Sequence, residues 1–225
     1  MAHIYAWEPI AVIILAAIYF YMRRRNKRAA QELEAASSGT TPTKTRSAED
    51  IYMHLRRRAL ETKPKNLGLE TKGTEPFGLL MEMGIQVSVV TLACLVDGEA
   101  NVYYKTGGGM VGGITHESVR NAAKAFVALA PKAVSKMTKT TDYPLPGPDR
   151  VRFYVLTPQG VFTTETSRQN LTNPKSELGA LFYSGQEVVA EMRQVQEEKQ
   201  GEIKKLDLKG VPGYLSGDDS PGPDA

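Results

Sequence analysis

A chain of 225 residues with 41% apolar and 24% charged side chains suits one domain of ordinary size plus appendages, with enough length to bury a real core. The formal charge of +3 is small and selects no class of partner; its distribution says more, since basic residues crowd into the first third and the last residues are acidic. The single cysteine, Cys94, excludes an intramolecular disulfide framework and a Cys-rich zinc site, and its place in an apolar run makes it a core residue rather than a reactive thiol.

Ile4 to Met22 (IYAWEPIAVIILAAIYFYM) is apolar apart from Glu8. At about 1.5 Å per residue it spans about 28 Å, a bilayer core. Tyr5 and Trp7 at one end and Tyr19 and Tyr21 at the other match interfacial belts, and Pro9 suits a first helical turn. A cleaved signal peptide needs positive charge before the apolar run and a small-residue cleavage site after it. Here the front is uncharged, and Arg23, Arg24, Arg25, Lys27 and Arg28 follow the run. This predicts a single-pass anchor over residues 1–22 in the inner (cytoplasmic) membrane. The N-terminus is outside, the five basic residues are at the membrane surface and the remainder is cytoplasmic.

Residues 23–47 read as a basic juxtamembrane helix and a flexible linker (SSGTTPTKTRS). Residues 48–75 read as a short helix capped by Ser47, then a loop. Arg56, Arg57 and Arg58 near the end of that helix complement its dipole and are either solvated or set against anionic headgroups. No aromatic-basic interleaving accompanies them, which argues against nucleic acid.

The globular domain is expected over residues 76–205. In Pro76–Gly84, Phe77, Leu80, Met81 and Gly84 recur at helical spacing and predict a short helix. Val87–Val96 is a nearly unbroken apolar, β-branched run that predicts a central strand buried on both faces. Asp97-Gly98 predicts a type I′ hairpin turn into a second strand, Ala100–Lys105. After a glycine loop, Thr115 is expected to cap a helix with the stripe Val119, Ala122, Ala123, Phe126, Ala130, Val134 and Met137, interrupted at Pro131. Arg150–Thr157 alternates as a half-exposed strand, and Pro158-Gln159-Gly160 turns it into VFTTET. Asn173 with Pro174 predicts the start of the last helix, whose stripe runs through Leu178, Leu181, Phe182, Gly185, Val188, Val189, Met192 and Val195. Residues 206–225 have the composition of a disordered acidic tail. The order helix, hairpin, helix, hairpin, helix implies an α+β domain of about four antiparallel strands with helices on one face.

Gly107, Gly108, Gly109, Gly112 and Gly113, with Thr115 and His116 at the next helix start, form the one stretch with chemical promise. Five glycines before a helix N-terminus let backbone N–H groups approach a phosphate or carboxylate. The spacing fits neither nucleotide-binding glycine motif, and the same glycines serve a tight turn and close packing equally well. His116 has no partner at ligand spacing, so no metal site, catalytic residue or cofactor is assigned. Arg150, Arg152 and Tyr154 share one strand face, which suits a solvated sheet edge, an acidic partner or the lining of a site near the glycine loop.

TGGGMVGGITHESVRNAA, YPLPGPDRVRFYVLT and LFYSGQEVVAEMR together resemble an uncharacterised bacterial membrane-anchored family, which implies a bacterial origin. The order of elements over about Pro76–Lys199 is similar to roadblock and longin-type domains, which dimerise and often bind small GTPases or scaffold complexes; that resemblance implies a protein partner or a homodimer. The expectation is a membrane-tethered cytoplasmic interaction or scaffold module, or an accessory subunit of a membrane complex. The alternative is a small enzyme or sensor that holds an anionic metabolite at Gly107–Gly113.

Overall fold

The computed structural model describes residues 47–69 and 74–209. The apolar run Ile4–Met22, the basic residues 23–28, most of the linker and the segment 210–225 lie outside the described residues. Among the described residues no helix is long and apolar enough to cross a membrane.

The chain runs α1 (Ala48–Leu60), β1 (Gly78–Ile85), β2 (Ser88–Leu95), β3 (Ala100–Tyr104), β4 (Gly109–Met110), α2 (Glu117–Ala128), α3 (Ala130–Val134), β5 (Thr138–Thr140), β6 (Arg150–Thr157), β7 (Gly160–Ser167) and α4 (Glu177–Lys209). The fold is α+β, as expected, but its one antiparallel sheet has seven described strands in the order β4-β3-β2-β1-β6-β7-β5 instead of about four.

The largest correction is β1. The stretch expected to be a short helix is the central strand, paired with β2 on one side and β6 on the other. Leu79, Met81 and Met83 face one core and Leu80 the other, so residues that mimic a helical repeat are those of a strand covered on both faces. β6 is likewise buried rather than half-exposed. Consequently the helices do not share one face. α2, α3 and the first part of α4 cover Leu79, Leu92, Val102 and Phe153, whereas α1 and the loop around Tyr143–Leu145 cover Leu80, Ala93, Tyr154 and Leu156 on the opposite face.

Several boundaries move for local reasons. The β2–β3 turn is not type I′, since Asp97 is not at positive φ. Gly98 alone is (φ +97), its N–H bonds the Leu95 carbonyl at 2.9 Å, and the Asp97 carboxylate accepts the Glu99 N–H at 2.9 Å. His116, not Thr115, occupies the cap position of α2, because a 3₁₀ turn over Gly113–Thr115 comes first. Pro131 sits in the first turn of α3 and does break the stripe as expected. Asn173 makes a local turn to the Lys175 N–H, and Ser176 caps α4 by accepting the Gly179 N–H at 3.1 Å. α4 continues through Lys209, past the expected domain end at 205.

The α1 face is held by a buried ion pair. Arg56 donates through Nε (2.6 Å) and Nη2 (2.9 Å) to the two oxygens of Glu82, whose side chain is fully buried. Thr91, in register with Glu82 on β2, donates to the same carboxylate at 3.1 Å, and the Tyr52 hydroxyl bonds Thr91 at 2.8 Å. Burial works against the Arg56 charge, yet the hydrogen bonds and charge of Glu82 hold the guanidinium above its ordinary range. Arg56 is therefore neither solvated nor at a lipid surface; Arg57 and Arg58 are exposed.

Burial pushes the Tyr103 and Tyr154 hydroxyls up to about 12 from 10.0. The folded chain then keeps protons that the unfolded chain releases from about pH 10, so stability falls as pH rises from about 10 toward 12. Alkaline titration followed by tyrosinate absorbance checks this: these tyrosines ionise only as the fold is lost. Cys94 is fully buried and its thiol is pushed up by that burial. It is expected to stay unlabelled by a maleimide until the protein is unfolded, as mass spectrometry will show.

Candidate functional site

The glycine stretch is one wall of an open groove of about 190 Å³, and the C-terminal half of α4 is the other. Gly109, Met110, Val111, Gly112, Gly113, His116 and Val119 line it from the first side, and Met192, Val195, Gln196 and Lys199 from the second. Its floor is apolar: Val119 is fully buried and Met192 nearly so. Its rim is mixed, with Val111 71% exposed beside the polar side chains of His116, Gln196 and Lys199. No carboxylate stands among the described lining residues, whereas an imidazole and an ammonium do. Among the described residues the side chains of His116 and Lys199 make no hydrogen bond or ion pair.

Backbone chemistry explains how the first wall is shaped. Gly107 and Gly108, both at positive φ, turn β3 into β4, with the Gly107 N–H on the Tyr104 carbonyl (2.9 Å) and the Tyr104 N–H on the Gly108 carbonyl (3.2 Å). The Gly112 N–H bonds the Asn101 side chain at 3.2 Å, and the His116 N–H bonds the Gly113 carbonyl at 3.0 Å. Thr115 turns its hydroxyl back onto the Gly112 carbonyl at 3.2 Å and does not line the groove. Of the residues singled out in sequence, Gly109, Gly112, Gly113 and His116 therefore meet in the groove, and Gly107, Gly108 and Thr115 shape its approach. The N–H groups of Gly107, Gly112 and His116 are already engaged within the protein. A Cβ at Gly109 would stand 2.2 Å from the Val102 carbonyl oxygen, whereas at Gly112 it would meet open space but require a residue at φ +78. Gly112→Ala is thus expected to cost about 1 kcal/mol and Gly109→Ala clearly more, measured as denaturant midpoints.

Arg150, Arg152 and Tyr154 do share one face, but it is the opposite face of the sheet. Arg150 and Arg152 both pair with Glu165, at 2.9 and 2.6 Å, because Arg152 and Glu165 are register partners on β6 and β7. The Nε of Arg152 is buried without an acceptor. Tyr154 is fully buried, donates its hydroxyl to the Pro144 carbonyl at 2.6 Å and lies under the Arg56 guanidinium, so it presents nothing to a partner.

Sequence reasoning missed the second wall. Met192 and Val195 read as core stripe, and Lys199 as the start of a charged helix end. The available signal was that Gln196 and Lys199 continue the face of Met192 and Val195 at helical spacing, where the apolar stripe ends. Among the described residues no group of three or more His, Cys, Asp or Glu side chains is placed to hold a metal ion. Comparison of the chain with protein-family profiles, curated protein sequences and solved structures finds no match.

Proposed function

We propose that this chain is a membrane-tethered cytoplasmic interaction or scaffold module, an accessory subunit of a membrane complex, that docks its partner in the groove between the glycine loop and α4. The observation that carries this reading is the groove's make-up: an apolar floor of Val119, Met192 and Val195 opening to the exposed apolar side chain of Val111 at its edge. The tether rests on the apolar run Ile4–Met22 and the basic residues behind it. A photo-crosslinking residue at Val111 in the full chain, in native membranes, is expected to yield one discrete protein adduct, whether to another protein or to a second copy. The same probe at Gln159, in the exposed β6–β7 turn, should not. Identical adducts from both positions, or none from Val111, would contradict docking at this groove. A reporter fused after Ala225 should report a cytoplasmic C-terminus; an external signal would overturn the orientation.

A second reading has its own support in His116 and Lys199, which among the described residues have no side-chain partner and no lining carboxylate beside them: a small anionic metabolite with an apolar portion fits the same groove. Inorganic phosphate and short-chain carboxylates would then stabilise the intact chain by about 2.7 kcal/mol at a hundred times the dissociation constant, read as a rise in its melting temperature.

A further inference from the structure

The docking reading above leaves the backbone of the groove's first wall unused. β4 is an outermost strand of the sheet, and Gly109 on it is exposed, as is Val111 just beyond it. Antiparallel neighbours alternate between pairs that exchange both backbone bonds and pairs that turn both groups outward. The Tyr104 N–H bonds the carbonyl of Gly108 across the hairpin. Gly109, opposite Tyr103, therefore turns its N–H and C=O away from β3, while Met110, opposite Val102, turns its own toward β3. Val111 continues the alternation outward. These outward groups stand two residues apart, the spacing at which an extended chain presents its own, and both residues line the groove. Glycine at such an edge leaves room for another backbone to come close. We infer that the groove's partner is an extended peptide segment that adds a strand to the sheet along β4, lays an apolar side chain on Val119, Met192 and Val195, and brings a carboxylate to His116 and Lys199.

The side chains follow from the pleat. Met110 packs on the core that α4 covers, so the incoming residue opposite Met110 points to the same side, over the groove floor. Its neighbours, opposite Gly109 and Val111, point away. The groove's volume of about 190 Å³ falls below the about 300–1,000 Å³ of small-molecule pockets, which suits single side chains presented by a strand. The opposite edge of the sheet is built differently. β5 carries Lys139 between two threonines, as edges that resist pairing do, whereas Gly109, Met110 and Val111 bring no charge. Backbone bonds supply affinity in such a mode and the pocket beside them supplies selectivity. With an imidazole and an ammonium and no carboxylate among the described lining residues, the selectivity is for an acidic group next to an apolar one. The inference rests on the groove being the docking face, and it names the class of partner.

The test uses the full, isotope-labelled chain in detergent micelles and end-capped peptides Thr-Xaa-Thr-Xaa-Thr-Asp, with Xaa an equimolar mixture of Val, Leu and Phe. The reversed peptide Asp-Thr-Xaa-Thr-Xaa-Thr covers the other strand direction. One of the two should bind at millimolar concentration or below. At ten times its dissociation constant the Gly109 and Val111 amides should exchange with solvent about tenfold more slowly, because a bonded amide exchanges only from the free fraction. The Met110 amide, already turned to Val102, should change little. N-methylation of alternate peptide residues should abolish binding, and N-methylation of the residues between them should leave it, whichever way the strand runs. Lys199→Glu should weaken binding of the Asp peptide but not of its Asn counterpart. Absence of binding by either peptide, unchanged exchange at Gly109 and Val111, or N-methylation effects without a two-residue period would overturn the inference. Any of these alongside a discrete Val111 adduct in native membranes would refute the added strand and leave docking at the groove standing, so the two failures are distinguishable.

Discussion

Glu82→Ala lowers the stability of the folded chain by about 3–5 kcal/mol, because it strands a buried guanidinium. Arg56 reaches Glu82 from α1 with two short hydrogen bonds, in a site where both side chains are almost wholly removed from solvent. Deleting the carboxylate also leaves the Thr91 hydroxyl without its acceptor and loosens the Tyr52–Thr91 contact at the start of α1. The pair itself adds little net stability, since both charges were desolvated to make it. Arg56→Met combined with Glu82→Leu should therefore recover most of the loss, in denaturant titrations of the same preparation. If the single and double substitutions lose the same amount, the ion pair is not what sets α1 on the sheet.

Phe126→Ala is the second large effect, about 3–5 kcal/mol from transfer plus cavity terms. Phe126 is fully buried on α2, and the space beside it exists because α4 carries Gly185 there: a Cβ at Gly185 would stand 3.2 Å from the Phe126 ring and 2.6 Å from Met81 Cε. Two helices and the central strand thus close on one ring. Phe182, on the expected stripe of α4, is only partly buried at the edge of this core, so Phe182→Ala should cost clearly less. Equal losses would mean that α2 and α4 do not meet over β1. Thermal or denaturant unfolding monitored by far-UV circular dichroism distinguishes the two.

What the sequence revealed of this fold followed from how local each signal was. β2 announced itself through a β-branched apolar run bounded by turn residues, and α2 through a stripe of ordinary helical period. β1 did not, because Leu79–Met83 lacks β-branched residues and a strand buried on both faces has no alternation to read. Nothing local to Glu82 signals its burial, because its partner Arg56 lies 26 positions earlier, a pairing that only the sheet and α1 together create. The extra strands β4 and β5 are two and three residues long, below what periodicity detects. The candidate site was half legible: glycines before a helix are visible in a sequence, but the wall formed by Met192–Lys199 depends on where α4 crosses the sheet.

The central claim, a docking groove on a tethered module, is tested most directly by co-purification from gently solubilised native membranes. The full chain is compared with its Val111→Asp variant, whose change at a 71% exposed rim position should leave the fold intact. The account predicts that a specific protein is recovered with the wild type and lost with Val111→Asp, while both chains remain in the membrane fraction with the same unfolding midpoint. Recovery of the same proteins in the same amounts with both chains would contradict it.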